Sequence, residues 1–176
     1  MKGIQKLFYY FFQDPVVITT INKRIAIIGV ILLLLAGIRV YYNIYDYMDI
    51  VFGDEVMYMK TGLNITQQFN RDWGPLYCIW YKFLSIFIHD TITLYYLNFV
   101  LVAIIASVFI YLAFLSMNIH PLVAFYFAIC FISSKAIVPM WPRVSLFTIS
   151  ILMIAIIIVS RINKLYLRML VFCIML

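Results

Sequence analysis

Residues Ile25 to Tyr45 read IAIIGVILLLLAGIRVYYNIY, and they follow directly on Asn22-Lys23-Arg24. A helix needs about 20 mostly apolar residues to cross a bilayer, and this stretch supplies them. Its one charge, Arg39, lies near the far end, where a long side chain can snorkel to the interface. The rest of the chain has the same character. Of its 176 residues 66% are hydrophobic and 11% charged, and the mean hydropathy is +1.06. Soluble domains are about 45–50% apolar and 25% charged. A soluble chain of this length has too much surface for its volume to hide that many apolar side chains, so hydrocarbon is the expected solvent.

Three further apolar spans are expected at Ile92–Leu115, Leu122–Val138 and Val144–Ser160. The second and third are separated by a tight turn, Ser116 to Pro121, and the third and fourth by Pro139-Met140-Trp141-Pro142. Between the first two lies a polar loop, residues 46–90. Within it Gly74–Ile88 is apolar, too short to cross comfortably, and carries Lys82. It reads as a re-entrant or interfacial helix begun by Gly74-Pro75, with proline at the first helical position. Residues 1–24 read as a cytoplasmic and interfacial N-terminus, with aromatic residues and lysines over Lys2–Phe12 suited to headgroup level. Residues 25–176 read as one membrane domain. The final apolar run, Met169–Leu176, is too short to span and reads as the start of a fifth helix. The expected fold class is therefore an all-α polytopic membrane protein with about four transmembrane helices.

The net charge of +6 does not point to nucleic acid. The basic residues flank spans instead of forming a stripe interleaved with aromatics. Lys2, Lys6, Lys23 and Arg24 precede the first span, and Arg161, Lys164 and Arg168 follow the fourth. Four spans put both groups on one side, which the positive-inside rule makes cytoplasmic. The loop at 46–90 then lies outside. It holds Asp46, Asp49, Asp54, Glu55, Asp72 and Asp90, six of the seven acidic residues. Cys78, Cys130 and Cys173 are scattered in apolar runs, and His89 and His120 stand singly, so no metal-ligand spacing appears.

The densest signal in the loop is FGDEVMY, Phe52 to Tyr58. Adjacent carboxylates repel, so each raises the other's pKa or draws a cation. On a helix starting near Gly53, Asp54 and Tyr58 share a face while Glu55 points about 100° away. One acid can then face a substrate cleft and the other a structural partner. Two readings fit: the pair complements a helix N-terminus, or it carries chemistry. RDWGPLY, Arg71 to Tyr77, has the marks of a helix-start turn, with Asp72 near the cap and Trp73 at the interface. Lys135 and Arg143 flank the turn between the third and fourth spans. They suit a lipid phosphate and equally suit snorkelling.

The order of these motifs resembles something specific. A first span ending in GIRVYY, then FGDEVMY, then DWGPLYCIWYKF and a long second span is similar to the N-terminal part of GT-C superfamily glycosyltransferases. The resemblance is to the branch containing protein O-mannosyltransferases and lipid A aminoarabinose transferases, and it covers roughly residues 25–160. It rests on Arg39 with Tyr41, on Asp54, Glu55 and Tyr58, and on Gly74 to Tyr77. It implies the N-terminal half of the GT-C fold in a multi-pass plasma (inner) membrane protein of the cell envelope, with a cytoplasmic N-terminus. It also implies transfer of a sugar from a polyprenyl-phosphate donor to a glycan, lipid or protein acceptor on the non-cytoplasmic side. Asp54 would be the general base, with Glu55 beside it at the catalytic position. Tyr58, Asp72, Lys135 and Arg143 would bind substrate, the two bases facing the leaving phosphate. No cofactor is required, although the acidic pair is compatible with a divalent cation. Family members are several hundred residues long, so the resemblance makes this chain an N-terminal piece or a truncated gene product. The alternative is a small non-catalytic multi-pass membrane subunit. Transport is disfavoured, because the later spans hold almost no ionisable residue and Asn98 is their main internal polar one.

Overall fold

The computed structural model describes residues 20–46, 53–65, 74–134 and 143–162. Among these residues the chain is all-α. Helix α1 spans Thr20–Val40, α2 Glu55–Leu63, α3 Pro75–Leu84, α4 Thr91–Ser116, α5 Pro121–Ser133 and α6 Arg143–Arg161, with one 3-10 turn at Ile44–Asp46. Among the described residues, helices stand with shifted limits at the first, second, third and fourth apolar stretches and at Gly74–Ile88. The helix of the first span begins before Ile25 and stops at Val40, not Tyr45. Asn43 then takes a left-handed conformation (φ 54°), which asparagine tolerates and a continuing helix does not. The interfacial segment Lys2–Phe12, residues 135–142 and the run Met169–Leu176 lie outside the described residues.

Helix α4 is the axis of the molecule, and α6, α5 and α1 pack around it. At 26 residues it is about 39 Å long. Among the described residues it is the one helix both long and apolar enough to cross a membrane. Helix α5 and the apolar stretch Val144–Ser160 of α6 are shorter. The start of α4 is set by Asp90, whose carboxylate accepts a hydrogen bond from the Thr93 amide at 2.7 Å. A hydrogen bond from the Thr93 side chain, and then this amide bond, hold the Asp90 carboxyl below its ordinary pKa. The turn into α5 follows the same logic. Asn118 is left-handed (φ 61°), His120 caps the helix through Nδ1, and Pro121 takes the first helical position.

Small residues bring the helices together. Ser107 of α4 donates to the Ala128 carbonyl of α5 at 2.8 Å, and Ala124 and Ala128 are fully buried. Gly29 of α1 admits the Tyr111 ring, and Gly37 admits Ile104 and Ile132. Close backbone approach through small residues is the usual way helices associate in lipid. Helix α1 turns Leu33 and Gly37 inward and leaves Ile27, Ile28, Ile31, Leu35 and Ile38 exposed, Ile38 by 62%. A soluble helix would carry charge on that face.

Helices α2 and α3 form a pair beside this bundle. They pack on each other, and α3 reaches α4. Gly62 is the crossing point: a Cβ there would stand 2.6 Å from the Cys78 carbonyl oxygen, a backbone atom that cannot swing away. Gly62→Ala is therefore expected to wedge the two helices apart at a cost of about 1–3 kcal/mol. Thermal unfolding in detergent checks this, since an unchanged midpoint would mean that the pair tolerates separation.

Candidate functional site

The sequence EVMYMKTGL of α2 turns Glu55, Met59 and Gly62 inward, a spacing of four and three that marks one helix face. On α3 the inward residues are Tyr77, Cys78, Tyr81 and Leu84. Leu76, Ile79 and Phe83 are exposed on its opposite side. Gly74 precedes α3 with Pro75 at its first position, as expected from the sequence.

Where the inward faces meet α4, a buried polar cluster forms. Glu55 is 4% exposed and Asn98, from the second turn of α4, is 0% exposed. The Tyr77 hydroxyl donates to Glu55 Oε1 at 2.5 Å, and the Tyr81 hydroxyl donates to the same oxygen. Asn98 Nδ2 lies 3.1 Å from that oxygen and also donates to the Tyr77 and Tyr81 hydroxyls, at 2.7 and 2.8 Å. The orientation of the amide is fixed from the other side, because Trp80 Nε1 donates to Asn98 Oδ1 at 2.8 Å. One asparagine thus ties together a carboxylate from α2 and three aromatic side chains from α3.

Aromatic packing closes the cluster. Tyr77 meets Tyr58 edge-on at 5.1 Å and Tyr81 at 5.2 Å. Phe147 of α6 lies 5.3 Å from Tyr77 and 6.1 Å from Trp80. Burial, and then the Glu55 carboxylate, push the Tyr77 hydroxyl well above the ordinary tyrosine pKa. Burial, Tyr77 and Glu55 do the same to Tyr81. Both phenols are therefore held as donors.

This carries a pH consequence. A group whose folded pKa is raised stabilises the fold fully below its unfolded pKa, near 10 for tyrosine, and less as pH climbs beyond it. The cluster should lose up to about 1.4 kcal/mol per tyrosine for each pH unit above about 10. Unfolding midpoints followed into the alkaline range check this, and Tyr77→Phe/Tyr81→Phe should flatten the dependence.

The acidic pair divides. Asp54 precedes α2 as its N-cap, is exposed, and makes no capping hydrogen bond with its side chain. Its carbonyl accepts from the Met57 and Tyr58 amides, and Gly53 before it has a positive φ of 30°. Glu55, one residue on, is fully engaged inside. Tyr58 is half-buried on the turn above, its hydroxyl raised in pKa by burial and then by Asp54 and Glu55. Among the described residues no three His, Cys, Asp or Glu side chains gather in a group that could hold a metal.

The other sequence-derived candidates are not placed. Asp72 and Lys135 lie outside the described residues, as does the Arg143 side chain, although its backbone opens α6. Sequence reasoning gave Asn98, Trp80 and Tyr81 no part in the site. Two signals were available: a lone amide in an otherwise apolar helix, and Tyr77, Trp80 and Tyr81 at positions i, i+3 and i+4, each with a polar tip. No protein-family model matches the sequence, and no curated protein or solved structure is found similar to it.

Proposed function

We propose that this chain is a membrane glycosyltransferase of GT-C type, or the N-terminal part of one, with Asp54 as the general base that activates the acceptor. One observation carries the reading. Of two adjacent acids, Glu55 is taken up by Tyr77, Tyr81 and Asn98, while Asp54 is left at the surface of the same turn, with no capping duty. A carboxylate so presented is available to take a proton from an acceptor hydroxyl, and Tyr58 stands on the next turn to line the approach.

In this reading the chain crosses the bilayer four times, near residues 25–45, 92–115, 122–138 and 144–160. Its basic ends are cytoplasmic, and the segment at residues 46–90 lies outside. The exposed aliphatic face of α1 meets lipid, and α3 lies at the interface with Leu76, Ile79 and Phe83 toward the acyl chains. The donor is a sugar on a polyprenyl phosphate. As the acceptor oxygen attacks the anomeric carbon, its proton passes to Asp54 and the bond from that carbon to the phosphate oxygen breaks. The polyprenyl phosphate leaves with the bonding pair, which Lys135 and Arg143 would stabilise. Asp72, from the same outer segment of the sequence, would bind substrate.

The chain reconstituted in liposomes with radiolabelled polyprenyl-phosphate mannose or polyprenyl-phosphate aminoarabinose tests the proposal. Label moving from the lipid carrier to an added glycan, lipid or peptide acceptor is the expected result. Tight association with a larger membrane partner, and no transfer by the assembled complex from either donor, would replace it with a non-catalytic subunit role.

A further inference from the structure

The polar cluster has a feature that simple helix packing does not require. Burying a carboxylate and an amide costs free energy, and an apolar contact of the same shape would hold α2 to α4 at least as well. What the polar version adds is direction. Glu55 Oε1 accepts from Tyr77 and Tyr81, whose hydroxyls accept in turn from Asn98 Nδ2, 3.1 Å from that oxygen, so the first turn of α2 can sit in one place and one rotation. Asn98 is itself held by the Trp80 indole, so a slide of α3 along α4 would break bonds on both its polar atoms.

The residue fixed by this arrangement is covalently adjacent to the exposed acid. Asp54 has no capping bond of its own, and at Gly53 before it (φ 30°) even an added Cβ would meet nothing within 4 Å. Nothing on the N-terminal side of Asp54 among the described residues secures it. Its position is inherited from Glu55. We infer that Glu55, Tyr77, Tyr81 and Asn98 form a positioning device that sets where the Asp54 carboxylate is presented, with Asn98 of the long helix as its fixed point. The inference rests on the transferase reading only for its catalytic consequence; the geometric part stands alone.

The test pairs amide exchange with kinetics on the full chain in liposomes. Two variants break the cluster while keeping its volume: Asn98→Leu, and Tyr77→Phe/Tyr81→Phe. Hydrogen exchange read by mass spectrometry over Glu55–Leu63 should show the first-turn amides exchanging faster, while α4 beyond Ser107 keeps its protection. In the transfer assay with polyprenyl-phosphate mannose or aminoarabinose, kcat should fall toward the about 10²-fold that a misplacement near 1 Å brings. The donor KM should hold, because the base and not the donor site has moved. Glu55→Gln keeps an oxygen acceptor and should restore most of the kcat that Glu55→Ala loses.

Unchanged exchange in both cluster variants overturns the inference. So does faster exchange with an unchanged kcat, or a rise in KM that accounts for the whole loss. If the unsubstituted chain transfers no sugar from either donor, the transferase reading fails by itself. The exchange arm then still decides whether the cluster fixes the turn that bears Asp54.

Discussion

Replacing Glu55 with alanine is expected to lower the stability of the protein by about 2–5 kcal/mol and to release α2 from α4. The magnitude follows from what is left behind. Tyr77 and Tyr81 both direct hydroxyl donors at Glu55 Oε1, Asn98 Nδ2 lies 3.1 Å from it, and all three are essentially buried. Each buried donor left without a partner costs about 1–3 kcal/mol, and partial re-pairing between the two phenols recovers some of that. Loss of side-chain volume beside Tyr77 adds a cavity term. Glu55→Gln should cost far less, because the amide oxygen can accept from the same hydroxyls. Thermal unfolding in detergent micelles distinguishes the outcomes. An alanine variant as stable as the parent would show that the cluster holds nothing together.

Asp54→Asn should have the opposite profile, with a large effect on chemistry and almost none on stability. Asp54 is exposed and its side chain caps nothing. Asparagine is as good as aspartate at a helix N-cap, so α2 should form normally. Asparagine cannot accept the acceptor's proton, and loss of a general base typically costs about 10²–10⁴-fold in rate. The transfer assay should therefore show kcat falling by that range, with donor binding and the unfolding midpoint preserved. Transfer at the parent rate would remove Asp54 from the mechanism. Comparing the two substitutions separates neighbouring residues of one type by where each side chain goes.

That separation was only half legible in the sequence. Helical spacing predicts that Asp54 and Glu55 diverge by about 100°, and hence that one of them finds a structural partner. Which one goes inward depends on α3 and α4, and the sequence names neither contact. Glu55 and Asn98 are 43 residues apart, and no local periodicity links positions so distant. The helix at Pro75–Leu84 was readable because its start signal is local: a permissive glycine followed by a proline that fixes φ. The end of α1 was not, because the apolar and aromatic run continues through Tyr45 while the backbone turns at Asn43. Composition carries the argument for hydrocarbon as solvent, and the exposed isoleucines of α1 agree with it. Composition is blind, however, to which polar residue inside the helices matters. In the sequence Asn98 stands only as the main polar residue inside the later spans, yet in the fold it joins α2 and α3 to the central helix.

Everything proposed for Asp54 requires it to face the side of the membrane opposite the basic ends of the chain. Cysteine labelling measures this directly, on a background with Cys78, Cys130 and Cys173 replaced by alanine. In sealed right-side-out vesicles an impermeant maleimide should modify Asp54→Cys without detergent and should modify Asn22→Cys only after the vesicles are opened. Protection of Asp54→Cys in intact vesicles, with free labelling of Asn22→Cys, would invert the topology and contradict the account.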